Sequence, residues 1–346
     1  MKLRIGIVGC GDITRQSHLP ILKSLKKVEV AALCDQRISV AKELALKFGV
    51  KNVFSDISEM LNKEKLDVVD ICTPIHNHAS SSIQAMEAGC HVLVEKPMAM
   101  SVEDAERMIH SSEIHGVKLC VVHQNLFNQA VVKARHLVEA GAVGDILNVN
   151  VQSFLRRDFE ACLNERHWSH SLPGGIFFEF LSHPIYLLQS FLKNAEPIHI
   201  LSRKVGKIKW IAKDELRVSV EAKNGLGSIL ASCNSLIHGD TLDIIGTRTA
   251  LSVDLWGRTV IVYKPHTESS VSVGLSNLHL GMQLFKTIGT TASTFVNAIY
   301  NPIKISAHYA FISRFIDSLL NGTNPPTTGE DGRKTVEMLE TICRQV

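Results

Sequence analysis

The chain has 346 residues, more than one hydrophobic core usually serves, so two domains are expected. A net charge of +3, without lysine or arginine blocks, argues against nucleic acid as a partner. Eight cysteines are scattered without a C-x-x-C pair, which is typical of reduced core thiols in a cytoplasmic protein. No segment reaches ~18 uncharged apolar residues, so a membrane partner is not expected. A small molecule is the predicted partner.

The first predicted element is a strand, Lys2 to Val8, followed at once by a glycine-rich turn. The turn reads G-x-G-x-x-T over Gly9 to Thr14. Glycine at position 9 permits a tight turn, and glycine at position 11 lets a pyrophosphate approach the backbone. The next helix offers its N-terminus to that anion. Thr14 departs from the usual small residue, so the turn alone is weak evidence for a dinucleotide site.

The second predicted strand, Val28 to Leu33, strengthens the prediction because it ends at Asp35. A carboxylate ~20 residues after the glycines is placed to bind the adenosine ribose. Asp35 favours NAD, since a carboxylate repels a 2′-phosphate, while Arg37 keeps NADP as the alternative. The competing interpretation is an ordinary turn followed by a solvated acid.

Further along, strands alternate with helices that end at glycines, which predicts a parallel, doubly wound sheet. The predicted elements are Val40 to Phe48 (helix), Val68 to Cys72 (strand), Ala79 to Ala88 (helix), His91 to Val94 (strand), Val102 to His115 (helix) and Lys118 to Val122 (strand). The first domain is therefore expected to be an α/β Rossmann domain over residues 1–123.

The second half has a different pattern, with seven strand-like runs between Ile146 and Tyr263 separated by turn signals. This predicts an α+β domain over residues 124–346 with a large, open, mainly antiparallel sheet. A helix over Gln129 to Ala140 leads into it, and helices return after Asn277. A capping box from Thr328 to Asp331 predicts the start of the last helix.

In a doubly wound sheet, ligands bind outside the carboxyl ends of the strands. The residues that follow the predicted strands, and are expected to face one crevice, are Gly9 to Thr14, Asp35, Thr73-Pro74, Glu95-Lys96-Pro97 and His123 to Asn125. A lysine at a strand exit beside a cofactor is predicted to act in the chemistry. The alternative is that Lys96 is a surface lysine at a turn.

A second candidate cluster follows Gly174-Gly175. Glu179, His183 and Tyr186 are spaced so that a helix would place them on one face. His183 is the best candidate for a proton acceptor because imidazole titrates near neutral pH. The alternative is a histidine paired locally near a helix start, with Glu179 as a capping acid.

Four stretches resemble the Gfo/Idh/MocA family of nicotinamide-dependent oxidoreductases. They are Gly6 to Gly11, Thr73-Pro74 with His78, Ala85 to Pro97, and Gly174-Gly175 with His183. The resemblance covers essentially the whole chain. It implies a Rossmann domain, a carboxy-terminal domain on an open antiparallel sheet, tightly held NAD or NADP, and a homo-oligomer, dimer or tetramer, formed through that sheet.

By position, the resemblance assigns Lys96 to the nicotinamide end of the cofactor and to the substrate hydroxyl, and Glu95 to the cofactor ribose. The complete set of expected cofactor contacts is Gly9, Gly11, Asp12, Ile13, Asp35, Arg37, Thr73, Pro74, His78, Glu95 and Lys96. His183 would reach the substrate from the second domain.

The chain also departs from the family pattern. The family usually has aspartate, histidine and aspartate where this chain has Glu179, His183 and Tyr186, so the histidine keeps its place without its second carboxylate. The expected substrate contacts are Asn125, Arg156, with Arg157 beside it, and Trp168. Leu126 stands where the family often has arginine.

The leading hypothesis is NAD-dependent hydride transfer to or from the carbinol carbon of a sugar, cyclitol or related polyol, with Lys96 and His183 catalytic and Glu179 or Tyr186 in support. No catalytic metal is expected, because no histidine or cysteine cluster has the paired zinc spacing. Two alternatives remain: a glycosidase-type reaction that recycles NAD, and a non-catalytic nucleotide sensor.

Overall fold

The computed structural model describes residues 2–156, 158–237, 239–265, 267–300 and 303–346, with backbone alone for 290–300. The chain forms two compact units, Met1–Gln124 with Asn301–Glu337, and Asn125–Tyr300 with Met338–Val346. The described residues of 303–337 cluster with the first unit, and the predicted domain boundary at residue 123 remains a prediction.

The first unit contains six parallel strands in the order β3-β2-β1-β4-β5-β6. The predicted parallel, doubly wound sheet is confirmed, although the sequence analysis assigned five of these strands and missed β3. The strands are β1 (Leu3–Val8), β2 (Val28–Cys34), β3 (Asn52–Phe54), β4 (Val68–Ile71), β5 (His91–Val94) and β6 (Leu119–Val121). The helices between them are α1 (Leu19–Ser24), α2 (Ile38–Phe48), α3 (Ile57–Lys63), α4 (His78–Glu87) and α5 (Val102–Ile114).

The register of this sheet brings the predicted binding loops to one edge. Val8 pairs with Cys34 on one side and with Ile71 on the other, and Ile71 pairs with Val94. Four strands therefore end at the same level. The glycine turn, Asp35, Thr73 and Glu95 each follow one of these strand ends, so the sequence prediction that they share an edge is confirmed.

The second unit contains a seven-stranded sheet in the order β13-β12-β11-β7-β10-β9-β8. The strands are β7 (Ile146–Arg156), β8 (Glu196–Arg203), β9 (Glu215–Ala222), β10 (Gly225–Ser235), β11 (Gly239–Gly246), β12 (Ala250–Asp254) and β13 (Thr259–Tyr263). All neighbours are antiparallel except β7 and β10, which pair in parallel. The predicted mainly antiparallel sheet is thus confirmed.

The remaining helices complete the chain order. They are α6 (Gln129–Glu139), α7 (Glu160–Leu163), α8 (Ile176–Phe180), α9 (Ser182–Gln189), α10 (Ser270–Tyr300), α11 (Ala307–Leu320) and α12 (Gly329–Cys343). The capping box is present, since Thr328 Oγ1 accepts the Asp331 N–H at 3.2 Å and Asp331 accepts the Thr328 N–H at 2.8 Å. Within the described residues, no helix combines the length and apolarity needed to cross a bilayer.

Candidate active site

The glycine turn after β1 is shaped by a close approach of two strand exits. Gly9 has φ of +93°, and a Cβ there would lie 2.5 Å from the Cys72 carbonyl oxygen. At Gly11, a Cβ would meet no heavy atom of the described residues within 4 Å, apart from its chain neighbours. Gly9 is therefore required by the fold, whereas Gly11 leaves open space beside the backbone, as a phosphate group needs.

Alanine at these two glycines is expected to separate folding from binding. Gly9→Ala should lower the free energy of unfolding by about 1–3 kcal/mol from backbone strain alone, and more from the clash with Cys72. Gly11→Ala should keep the wild-type stability and weaken NAD binding. Thermal unfolding and cofactor titration of both variants measure this, and equal stability losses would contradict it.

Thr14, the departure from the usual glycine fingerprint, fits the turn. It is fully buried, and its Oγ1 donates a 2.6 Å hydrogen bond to the Gly9 carbonyl oxygen. The hydroxyl thus supports the turn that a smaller residue would leave unsupported. The departure does not weaken the dinucleotide prediction.

Asp35 is held at the end of β2 by the backbone on both sides. One carboxylate oxygen accepts the N–H of Cys10 at 2.8 Å, and the other accepts the N–H of Arg37 at 2.9 Å. The Arg37 guanidinium lies 3.7 Å from the same carboxylate. Asp35 is therefore fixed beside the glycine turn, where a carboxylate binds a ribose. Asp12, exposed, and Ile13 open the helical segment after Gly11.

Glu95 and Lys96 follow β5 directly, and one carboxylate links them. Glu95 is buried, and its Oε2 accepts the Lys96 backbone N–H at 3.0 Å. Its Oε1 lies 2.9 Å from His18 Nε2. Lys96 itself is only partly buried. The backbone of the predicted catalytic lysine is thus attached to a buried carboxylate.

A buried polar cluster beneath Glu95 was missed by the sequence prediction. His18 Nδ1 lies 2.8 Å from Asp70 and 3.4 Å from the Cys72 thiol, and the His308 ring lies 6.0 Å away. His18 is in the first helical segment and Asp70 is in the middle of β4. The one local signal in the sequence was an aspartate, Asp70, inside the otherwise apolar strand β4, since His18 ends a polar segment that reads TRQSH.

His78 ties two strand exits together. Its Nδ1 lies 2.8 Å from the Pro97 carbonyl oxygen, and its Nε2 lies 2.8 Å from the Thr73 carbonyl oxygen. Burial lowers the pKa of His78, although the two carbonyls act in the opposite direction. Both ring nitrogens face the backbone, so His78 positions the exits of β4 and β5. Its predicted direct contact with a cofactor remains a prediction.

Thr73 gives a further sign of a missing polar partner. Its Oγ1 is buried, and it has no hydrogen-bond partner among the described residues. It lies beside Gly9 at the strand edge, where the open space next to Gly11 and the fixed Asp35 carboxylate also lie. A dinucleotide supplies phosphate and ribose oxygens at that edge. The residues present therefore fit NAD, with Pro74 exposed at the start of the loop.

In the second unit, the predicted histidine cluster is built from two short helices rather than one. Glu179 lies in α8, and His183 and Tyr186 lie in α9, with Leu181 between the helices. Tyr186 is 2% exposed, and its hydroxyl lies 2.8 Å from His183 Nδ1. The same oxygen accepts the Asn125 backbone N–H at 3.2 Å. The phenol thus takes the place of the missing carboxylate beside the imidazole.

The remaining predicted substrate contacts are less well organised. Arg156 is exposed and forms an ion pair with Asp158, so its guanidinium already has an anionic partner. Arg157 lies outside the described residues. Trp168 is 36% exposed at the start of a short helical turn, where its ring lies 5.4 Å from that of His167. A carboxylate clamp by the two arginines remains a prediction.

The two units together define the class of protein. Residues 3–123 match the family model described as "Oxidoreductase family, NAD-binding Rossmann fold", and residues 131–252 match the GFO/IDH/MocA C-terminal domain. The chain thus joins an NAD-binding Rossmann domain to a GFO/IDH/MocA C-terminal domain. It belongs to the Gfo/Idh/MocA family, as its motifs predicted.

Named relatives include two dehydrogenases. D-glucoside 3-dehydrogenase of Escherichia coli is 36% identical over 155 residues, 45% of this chain and 44% of that protein. Myo-inositol 2-dehydrogenase of Thermotoga maritima is 22% identical over 96% of this chain and 92% of its own length. Across the first three relatives, the match spans 44%, 54% and 47% of the relative, about half of its length.

A solved structure shares the complete fold. The WlbA dehydrogenase of Bordetella pertussis, solved with NADH and UDP-GlcNAcA, superposes with a TM-score of 0.80 at 24% identity, covering 99% of this chain and 95% of that chain. At this identity, the likeness establishes the fold alone.

Proposed function

We propose that the protein is an NAD-dependent oxidoreductase that transfers a hydride between the cofactor and a carbinol or carbonyl carbon of a sugar, cyclitol or related polyol. One observation carries the proposal: the Glu95 carboxylate, at the edge that carries the glycine turn, holds the backbone of Lys96. A non-catalytic sensor needs no lysine fixed in this way. The named relatives act on sugars and cyclitols, which supports the substrate class.

In this proposal, bound NAD supplies the hydride acceptor, and the residues of the chain orient the substrate and move its proton. Lys96 polarises the reacting oxygen. His183 takes the hydroxyl proton, and Tyr186 orients its ring. The Glu179 carboxyl group also supports the imidazole of His183. Asn125, Arg156 and Trp168 bind the rest of the substrate.

The fixed carboxylate at Asp35 predicts the cofactor preference. We expect Asp35→Ser to lose most of the discrimination against NADP, with the ratio of the NADP and NAD dissociation constants falling about tenfold, because a like charge beside the 2′-phosphate is removed. Arg37 then becomes available to that phosphate. Fluorescence titration with both reduced cofactors measures the ratio, and an unchanged ratio would contradict the role of Asp35.

A substrate screen tests the proposed activity. Polyols, aldoses and nucleotide sugars are supplied with NAD, and the absorbance of the reduced cofactor is followed. We expect stoichiometric NADH from one of these classes. Substrate turnover with no net NADH would favour the NAD-recycling, glycosidase-type reaction. Tight cofactor binding with no turnover in any class would favour the nucleotide sensor.

We also infer a homo-oligomer, dimer or tetramer, formed through the open sheet of the second unit. Six large apolar side chains on the described strands of this sheet are substantially exposed, namely Leu147, Ile198, Leu201, Leu226, Ile245 and Tyr263. Light scattering of the purified protein tests the assembly.

We also infer a cytoplasmic location. All eight cysteines are buried and free, which supports a reducing compartment.

A further inference from the structure

The buried cluster around His18 is the part of the first unit that the proposed reaction does not yet use. His18 is fully buried and lies between the side chains of Asp70, in β4, and Glu95, which directly follows β5. Its Nδ1 is 2.8 Å from Asp70, and its Nε2 is 2.9 Å from Glu95. Buried charged groups are usually paired in proteins, and here one ring has a carboxyl group against each of its nitrogens.

Both contacts have the length of a charge-assisted hydrogen bond. An ionised carboxylate can only accept in a hydrogen bond, so each ring nitrogen donates an N–H, and a ring that donates through both nitrogens is an imidazolium. Burial opposes this charge, but Asp70 and the neighbouring groups raise the pKa of His18 well above its ordinary range. Burial also opposes the charge on Glu95, but His18 lowers the pKa of that carboxyl to about 2.

The other groups that face the ring stay neutral. Burial raises the pKa of the Cys72 thiol to about 12, and burial lowers the pKa of His308 to about 4. The cluster therefore places an imidazolium between Asp70 and the Glu95 carboxylate, with an uncharged thiol and an uncharged imidazole beside it. The same donors form two groups of three within 4.8 Å that a metal ion would suit, but the distances from His18 to both carboxylates are those of hydrogen bonds.

We propose that His18 is a positioning residue for the Glu95-Lys96 pair: its imidazolium holds one oxygen of Glu95, so that the other oxygen holds the Lys96 backbone. Asp70 fixes the far side of the ring. A series of hydrogen bonds thus leads from Asp70 in the sheet, through His18 and Glu95, to the backbone of Lys96. This inference rests on the roles that the proposed function gives to Glu95 and Lys96.

A double-mutant cycle tests the proposal without a known substrate. The dissociation constant of NADH is measured by fluorescence for wild type, His18→Gln, Glu95→Gln and the double variant. Glutamine in place of His18 donates through one group only, so it cannot bridge both carboxylates. We expect about a tenfold loss of affinity in each single variant and a double variant within about twofold of Glu95→Gln, as for residues in one network. Independent losses that multiply in the double variant would overturn the proposal.

Asp70→Asn keeps an acceptor for the Nδ1–H but removes the charge that favours the imidazolium. It should therefore weaken NADH binding in the same direction as His18→Gln and to a smaller extent, whereas wild-type affinity in Asp70→Asn would count against a charged ring that holds Glu95. If His18→Gln does not fold, ¹⁵N NMR of histidine-labelled wild-type protein at neutral pH decides. Two protonated nitrogens in the His18 ring support the proposal. One unprotonated nitrogen in that ring, or a zinc ion bound to it, overturns the proposal. Failure of the polyol screen would refute the proposed activity and leave this cycle intact.

Discussion

Lys96→Met is expected to lower kcat by roughly 10²- to 10⁴-fold, the range for loss of a group that manages charge at the reacting oxygen. Methionine keeps much of the length and apolar stem of lysine and removes the ammonium. The Lys96 backbone N–H, which Glu95 accepts at 3.0 Å, is unchanged by the substitution. We therefore expect the strand exit to keep its geometry and the NAD dissociation constant to change by about threefold or less.

Lys118→Met is the control for this substitution. Lys118 is partly buried like Lys96, but it directly precedes β6 and so lies at the amino end of a strand, away from the candidate site. It should retain wild-type kcat. Turnover in Lys96→Met comparable to wild type would remove this lysine from the mechanism, whereas an equal loss of cofactor affinity would make it a binding residue.

Much of the site was predictable because parallel strands place their carboxyl ends at one edge. The glycine turn, Asp35, Thr73 and Glu95 were each expected there from strand patterns alone, and the register of β1, β2, β4 and β5 confirms it. Periodicity tells where a strand ends. It therefore locates the residues that follow strands without any knowledge of long-range contacts.

The contacts within the sheet interior were not predictable in this way. His18 and Asp70 are 52 residues apart, His18 in a polar helical segment and Asp70 in an apolar strand, so no local pattern shows that they pair. The break between α8 and α9 was also missed, since Glu179, His183 and Leu187 keep helical spacing across Leu181. Side-chain pairing depends on packing between distant segments, which a single sequence does not display.

Tyr186 gives the sharpest test of how the second unit handles a proton. The family's aspartate would pair with a charged imidazole, whereas the phenol beside His183 is neutral. Tyr186→Asp should restore a carboxylate and raise the pKa of His183, because a nearby opposite charge favours the protonated ring. If His183 is the base in oxidation, activity appears only above that pKa. The acidic limb of the kcat/KM profile should then move to higher pH by about one unit or more.

Tyr186→Asn separates this charge effect from the loss of a buried ring. Asparagine matches aspartate in size, leaves the same space, and carries no charge, so it should show the same loss of stability without the upward shift of the limb. Tyr186→Phe removes only the hydroxyl that joins His183 and the Asn125 N–H, and should lower kcat about tenfold or more through a misoriented imidazole. A shift of equal size in the aspartate and asparagine variants would mean that packing, and not charge beside His183, sets the profile. An upward shift in the aspartate variant alone would instead show that Tyr186, in place of the family's carboxylate, lets the histidine of this chain act as a base at lower pH than a histidine paired with an acid.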